Sequence, residues 1–506
     1  MEAILAVRPA PRAAFSALGN KAVWLVAAAA FGLEMVMSAR YGYVRDELYF
    51  LAAGQHPAFG YVDQPALTPM LARLDVLLTG NTLIGLRALP ALMAAVLVLL
   101  TASMARTLGA GRRGQLIAAV ATACCAQYLG AMHELTTTPA DFVTWAALLL
   151  FVTKLLTSGD KRWWLAIGAA GGIGMTAKWN IGFLVVGLVI GFAVSREARP
   201  LLRSRYLAIG AVIFAALAAP DFIWQAANGW PNLAVFHALQ HDAWKNRANY
   251  WPGQVLYTSI VLVPLWLRGI VWSLRDKKLK VIGIAAVAVI VAQFVLGGKA
   301  YYPGGIYTFL FAAGAVALAA DRVPGEPGKP AANRWRARIA VYIVGAAISS
   351  VISLPVLPAT ALARFPVQKI NYDLGEEIGW PSQVNLVSQV WHELPAKERA
   401  VATLLTSNYG EAGALDRYGP GFGLPQAYCG ANSFWSWGPP PAGDTVAVAV
   451  GMDPAFLHRW FTTVREAAVY HNGLNVDDDE EDTPIYVVTG LRTSWQTAWP
   501  AFRDYS

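Results

Sequence analysis

The chain has 506 residues, 56% of them hydrophobic and only 14% charged, with a mean hydropathy of +0.42 and a formal net charge of +8. Soluble domains carry roughly 25% charged residues, so a purely water-soluble globule is excluded. Three cysteines, Cys124, Cys125 and Cys429, have neither a disulfide framework nor metal-ligand spacing.

From Ala22 to Leu357, apolar runs of about 16–22 residues alternate with short charged or aromatic loops. Each run is long enough to cross a hydrocarbon core of ~30 Å at ~1.5 Å per residue. Eleven spans are expected: 22–39, 84–105, 114–131, 139–157, 162–177, 180–195, 206–224, 254–272, 280–297, 304–320 and 338–357. Gly171, Gly172 and Gly174 fall in the fifth, where glycine lets membrane helices approach closely. Alternate loops are rich in Lys and Arg, from Arg8, Arg12 and Lys21 to Arg322, Lys329 and Arg334. The positive-inside rule places these in the cytoplasm, so the N-terminus is inside and residues beyond the eleventh span are outside. The net charge reflects this topology, and no nucleic-acid partner is expected. The basic start with no small-residue cleavage site reads as an uncleaved signal anchor. A multi-pass membrane protein is the expectation.

The first outer loop, Arg40–Thr79, contains Pro57, Pro65 and Pro69 and an amphipathic stretch, Leu67–Leu78, suited to lying in the interface. The outer loop 225–253 carries Trp230, Trp244, Tyr250 and Trp251, which suit an aromatic belt. Asp321–Arg338 is basic and rich in Pro and Gly, a flexible linker. The membrane domain is therefore 1–360. Over 361–506 the pattern changes: helices are expected at Ser382–Glu393, Glu411–Tyr418 and Pro454–Phe461, strands at Ala400–Thr406, Thr445–Val450 and Ile485–Val488. The alternation argues for a soluble α/β domain with a mostly parallel sheet. The acidic run Asp477–Asp482 lacks the alternation and glycine of a calcium loop and reads as solvated.

The outer loops hold the polar groups that need explaining. Arg45-Asp46-Glu47 sets two carboxylates beside a cation, which can hold a general base or be a solvated helix flank. His133, Glu134 and Asp141 follow on the same side, Asp141 at a depth where a lone carboxylate is costly. Lys178 interrupts the turn between spans five and six, Lys299 precedes Tyr301 and Tyr302, and Lys245 and Arg247 lie in the aromatic loop. Each cation alone is commonly a snorkelling interface residue. As a set they describe an outward cavity for a lipid-linked anionic substrate: cations for phosphate, a carboxylate for a proton, aromatics for sugar or prenyl groups.

Tyr43-Val44-Arg45-Asp46-Glu47-Leu48-Tyr49-Phe50, followed by Phe59-Gly60-Tyr61-Val62-Asp63-Gln64-Pro65-Ala66, resembles the first outer loop of family 39 glycosyltransferases. These are the protein O-mannosyltransferases and aminoarabinose lipid A transferases of the GT-C fold. Gln64 and Ala66 stand where that family usually has His and a second Pro. The resemblance continues through Asp141-Phe142-Val143-Thr144-Trp145, Thr176-Ala177-Lys178-Trp179, Pro220-Asp221-Phe222-Ile223-Trp224 and Gly298-Lys299-Ala300-Tyr301-Tyr302. It ends in Asn408-Tyr409-Gly410-Glu411 and Ser433-Phe434-Trp435-Ser436-Trp437, similar to the tail of bacterial members.

The resemblance implies an inverting transfer of a sugar from a polyprenyl-phosphate donor to an extracytoplasmic glycan, lipid or protein acceptor. Asp46 is then the base, and Glu47 orients it or binds the acceptor. Lys178 and Lys299 hold phosphate with Tyr301 and Tyr302, and Arg45 or Arg247 are weaker candidates. Asp141, His133, Glu134 and Asp63 serve sugar or acceptor. No cofactor is required, although Asp46, Glu47 and Asp141 could hold a divalent metal. The rivals are a flippase or transporter of lipid-linked glycans, which predicts internal repeats not found here, and a scaffold that binds partners through its outer domain.

Overall fold

The computed structural model describes residues 19–320 and 332–505. Arg8 and Arg12, and most of the linker expected over Asp321–Arg338, lie outside these residues. The helices of the first part are α1 (Lys21–Met37), α2 (Arg45–Gln55), α3 (Leu67–Thr79), α4 (Leu83–Thr107), α5 (Arg112–Ala123), α6 (Ala126–Ala131), α7 (Thr137–Ser158) and α8 (Trp163–Ala177). They continue with α9 (Ile181–Val194), α10 (Arg205–Ala227), α11 (Pro231–Leu239), α12 (Ala243–Tyr257), α13 (Val263–Arg275), α14 (Lys280–Val295), α15 (Tyr307–Ala320) and α16 (Ala332–Ser353). Every expected span coincides with one helix or with a pair.

Among the described residues, four helices are long and apolar enough to cross a membrane: α4, α7, α10 and α16. The pair Pro231–Tyr257 and Ile260–Arg275 makes a fifth when taken together, although it bends by 78°. The other expected spans are shorter helices, such as Ile181–Val194 and Lys280–Val295, so the count of eleven does not follow from length and composition. Apolar side chains including Leu25, Val36, Val212, Val344 and Ile348 face outward, as in a protein solvated by lipid. Helix α3 follows the same rule: Leu74, Leu77 and Leu78 are exposed, while Thr68 and Asp75 turn inward. The glycines of α8 do pack closely, since a Cβ at Gly171 or Gly172 would press on Phe214 and Leu217 of α10.

Two expected spans, 114–131 and 254–272, are broken. The first breaks at Cys124–Cys125, where Cys125 is extended. The second breaks at 258–262, where Ser259 adopts a left-handed φ of 64°. A break inside a membrane body frees backbone groups that water cannot reach, and here each break satisfies the other. Ser259 Oγ donates to the Cys124 carbonyl (3.0 Å) and accepts from the Ala126 N–H (3.0 Å). Cys125 Sγ donates to the Tyr257 carbonyl at 3.5 Å. Apolar periodicity carries no sign of such reciprocal breaks.

The C-terminal part contains α17 (Asp373–Glu376), α18 (Trp380–Glu393), α19 (Ala396–Arg399), β1 (Ala402–Thr406), α20 (Tyr409–Tyr418), β2 (Ala427–Cys429) and α21 (Asn432–Ser436). It ends in β3 (Val446–Val450), α22 (Pro454–Trp460), β4 (Phe461–Tyr470), β5 (Thr483–Leu491) and α23 (Trp495–Ala498). The sheet order is β2-β1-β3-β5-β4. β1 is parallel to β2 and β3, but β5 is antiparallel to both β3 and β4. The sheet is therefore mixed rather than mostly parallel. β2 and β4 were hidden from the sequence: β2 is only three residues long, and an edge strand reading Thr-Thr-Val-Arg-Glu lacks a continuous apolar run.

The core of this sheet runs into the first outer loop. Leu48, Tyr49 and Phe50 of α2 pack with Trp380, Val384, Ala412, Leu415 and Phe434. Gly413 allows the contact, since a Cβ there would press on the Leu48 backbone. The acidic run is only partly solvated. Asp477 and Asp479 are exposed, but Glu480 is buried and accepts from Gln383 Nε2 and Asn408 Nδ2, each at 3.2 Å.

Ser259→Ala removes both hydroxyl bonds at the paired breaks and strands two buried backbone groups. Unfolding in lipid nanodiscs, followed by tryptophan fluorescence, should show a loss of ~2–4 kcal/mol. Ser259→Gly relaxes the left-handed φ and should lose less.

Candidate active site

The site is organised by the first turn of α2. Successive residues of a helix point ~100° apart, so Arg45, Asp46 and Glu47 enter three environments. Glu47 turns into the body and is fully buried. Arg87 of α4 grips it in a two-pronged ion pair: Nε donates to Oε1 at 3.1 Å and Nη2 to Oε2 at 2.8 Å. The Val44 N–H donates to Oε2 (3.0 Å) and the Leu135 N–H to Oε1 (3.1 Å). With both oxygens so occupied, Glu47 is a positioning residue and does not face an acceptor.

Arg87 is itself buried and gathers four further partners. It donates to the carbonyls of Ser38 (3.1 Å) and Gly42 (2.9 Å), lies 3.0 Å from His133 Nε2, and reaches Glu377 Oε2 at 3.5 Å. His133 Nδ1 is 3.5 Å from Glu34 Oε2. His133 thus belongs to this internal network rather than to a sugar site. Burial raises Glu377 to about 8, with Arg87 opposing the shift.

Arg45 turns to the C-terminal part. Nη1 donates to Asp479 Oδ2 at 3.0 Å, and Nε lies 3.3 Å from Glu376 Oε2. Its guanidinium also lies 5.7 Å from the ring centres of both Tyr372 and Tyr409. It fastens α2 to the acidic loop and is committed away from phosphate. Arg247 is also elsewhere: it is half-buried, and Nη2 donates to the Val295 carbonyl (2.8 Å) at the end of α14.

Asp46 lies between these two and is half-buried. Tyr409 Oη donates to Oδ1 at 2.9 Å, and no other hydrogen bond among the described residues reaches the carboxylate. The Asp46 charge acts on Lys178, Asp373, Tyr301 and Tyr372. Lys299 acts on Lys178 and Asp373, so both lysines expected to hold phosphate lie within electrostatic reach of the surroundings of Asp46. Lys178 Nζ sits over the rings of Tyr301 (5.3 Å) and Tyr302 (5.2 Å). Burial lowers the Lys178 pKa, and nearby Asp141 opposes this.

Asp141 is buried and held, accepting from Trp145 Nε1 (2.8 Å) and Asn180 Nδ2 (3.0 Å). Asn180 Nδ2 also donates to the Tyr302 carbonyl at 2.7 Å, which joins the lysine turn to the Tyr301-Tyr302 turn. Glu134 and Asp373 lie together. Burial, then the charge of Asp46, draws Asp373 up to about 6, while burial and Asp373 draw Glu134 well above the carboxylate range. Asp63 accepts from Tyr49 Oη at 2.6 Å, and burial raises it to about 7.

Asp46, Glu47 and Asp141 do not converge as metal ligands, because Arg87 takes Glu47, and Trp145 and Asn180 take Asp141. The one grouping of three such donors among the described residues is His471, Glu481 and Asp482, at the rim of the acidic loop.

The sequence reading missed Arg87, Tyr409, Asp373 and Glu377. An arginine within an apolar helix was a usable signal for the first. Tyr409 stood inside a quoted motif without a role. Nothing local marks Asp373 or Glu377.

Residues 63–224 match the family model of dolichyl-phosphate-mannose-protein mannosyltransferases. A comparison with curated sequences gives no match. Among solved structures, ArnT from Cupriavidus metallidurans in the apo state aligns over 92% of this chain and 97% of its own, with a TM-score of 0.59 and 16% identity. Arabinofuranosyltransferase AftD from Mycobacteria aligns over 94% of this chain but 42% of its own, with a TM-score of 0.52 and 14% identity. The fold is therefore of the GT-C kind implied by the motifs, and the resemblance to that group of membrane glycosyltransferases is supported both by the family match and by the fold.

Arg87→Ala leaves Glu47 and Glu377 buried without their cation and should cost ~3–5 kcal/mol, read from denaturant unfolding. Asp63 supplies a pH signature. Its folded pKa, near 7, lies above the ~4 of an unfolded chain, so its contribution is full below pH 4 and is lost as pH rises to 7. The Tm of the wild type relative to Asp63→Asn should fall across that window and level off above it.

Proposed function

We propose that this chain is an inverting glycosyltransferase that moves a sugar from a polyprenyl-phosphate donor to an acceptor on the outer side of a bacterial inner membrane. The observation that carries the reading is the position of Asp46. One carboxylate oxygen accepts from Tyr409, no hydrogen bond among the described residues reaches the other, the Asp46 charge acts on Lys178, and its neighbours on α2 are locked on either side. The family match and the fold support the same chemistry.

In this reading the acceptor hydroxyl oxygen attacks the anomeric carbon, and its proton passes to Asp46. The bond from that carbon to the phosphate oxygen breaks, and the electron pair leaves with the phosphate. Lys178 and Lys299 meet the charge that develops there. Fixed cations in a site of low dielectric stabilise such charge far better than water-exposed ones. The rings of Tyr301 and Tyr302 hold the Lys178 ammonium in place and offer apolar surface for the sugar or first prenyl unit. Asp141 acts through Asn180, which sets the spacing of the two turns. The N-terminus then faces the cytoplasm, and the C-terminal sheet lies outside with Asp46.

Asp46→Asn should lower turnover by ~10²–10⁴, the usual worth of a general base, while donor binding persists. Release of polyprenyl phosphate from a polyprenyl-phosphate sugar by protein in nanodiscs is the readout. Unchanged transfer by the variant refutes Asp46 as base. A wild type that consumes no such donor in the presence of envelope acceptors refutes the enzyme reading.

A further inference from the structure

A cavity of about 600 Å³ opens between the first outer loop, the outer end of α10 and the last residues of the chain. Its volume falls in the ~300–1,000 Å³ range of ligand sites. Trp224 of α10 lines it together with Trp435, Trp437 and Tyr505 of the C-terminal part. The walls are braced. Trp435 and Trp499 exchange hydrogen bonds, each indole donating to the other's carbonyl at 3.0 Å. His56 stacks on Trp437 with ring centres 4.2 Å apart and planes within 10°.

The Arg503 guanidinium lies in this groove, 5.0 Å from the Trp435 ring centre and 5.6 Å from that of Tyr505. Its backbone is pinned: the Asn432 N–H donates to the Asp504 carbonyl (3.0 Å), and the Asp504 N–H to that of Gly430 (2.9 Å). No carboxylate among the described residues forms an ion pair with Arg503. Two residues in the left-handed region, Trp230 (φ 58°) and Asn432 (φ 45°), flank the groove. Strain of this kind, ~1–3 kcal/mol each, collects where geometry serves function.

The groove also touches the proposed reaction site from behind. The Val62 N–H donates to Ser433 Oγ (3.1 Å), and the Ser433 N–H to Tyr49 Oη (3.3 Å), which in turn donates to Asp63 (2.6 Å). The Asp46 charge reaches Asp63.

We infer that this groove is the acceptor subsite and that it takes an anionic glycan. A sugar ring has an apolar face of C–H groups and a rim of hydroxyls. Aromatic walls edged by Gln55, Asn228 and Ser436 match that pattern, and Arg503 selects a carboxylate or phosphate substituent. This rests on the glycosyl-transfer reading, but binding can be measured apart from turnover.

Calorimetric titration of the full chain in nanodiscs with tetragalacturonate, against neutral maltotetraose, tests the assignment. Tetragalacturonate should bind saturably and at least tenfold more tightly than maltotetraose. Arg503→Gln and His56→Ala, both exposed and free of core packing, should each weaken it about tenfold while binding of a polyprenyl phosphate stays unchanged. Equal binding of the two oligosaccharides, no saturable binding, or an unaffected Arg503→Gln overturns the inference. A loss of polyprenyl-phosphate binding in Arg503→Gln also overturns it, by assigning the groove to the donor. If tetragalacturonate binds as expected but no donor is ever consumed, the groove stands and the transfer reading falls.

Discussion

A single arginine buried among apolar helices sets the geometry of this molecule. Desolvating the Arg87 cation is costly unless partners surround it. Glu47, Glu377, His133 and the carbonyls of Ser38 and Gly42 do so. These partners come from the end of α1, the start of α2, the α6–α7 loop and the C-terminal part, so neutralising one charge draws four separate segments to a point. Asp46 is next to Glu47 on a helix. Once Glu47 is clamped inward, the helical twist turns Asp46 to a side between it and Arg45, which is drawn to the acidic loop. The direction of Asp46 is thus set by what its neighbours are forced to do.

The same economy appears in the membrane body. Two helices break at similar places, and Ser259 serves both breaks with one hydroxyl. The second break turns the chain by 78°. Joining the loose backbone ends to each other keeps them satisfied without water. The C-terminal sheet is likewise no appendage: its helix α20 supplies Tyr409 to Asp46, and its core closes over α2. The surroundings of Asp46 are incomplete without it.

Much of this was legible in the sequence. Each apolar run coincides with a helix or a pair of helices, and three of the five strands were marked in the sequence. The motifs singled out Asp46, Lys178, Lys299, Tyr301 and Tyr302, and in the fold Lys178 lies over both tyrosine rings and feels the charges of Asp46 and Lys299. The failures have physical causes. Neighbouring residues such as Asp46 and Glu47 look alike in a motif, yet the helical twist sends one outward and one into the core. Arg247 carried the right charge in the right loop, but the carbonyl end of α14 claims it. His133 sat in a promising loop and serves Arg87 instead. Asp373 and Glu377 lie more than two hundred residues from Asp46 along the chain, and only the fold brings them near. Helix breaks within apolar runs left no trace in composition.

The central claim is that Lys178 and Lys299 hold a lipid-linked phosphate beneath Asp46. It is tested most directly by a structure of the protein in nanodiscs with a polyprenyl phosphate bound. The account predicts the phosphate within hydrogen-bonding reach of both Nζ atoms, on the Asp46 side of the Tyr301-Tyr302 turn. A phosphate seated instead at the exposed face of α12 near Arg247, with both lysines free of it, would contradict the account.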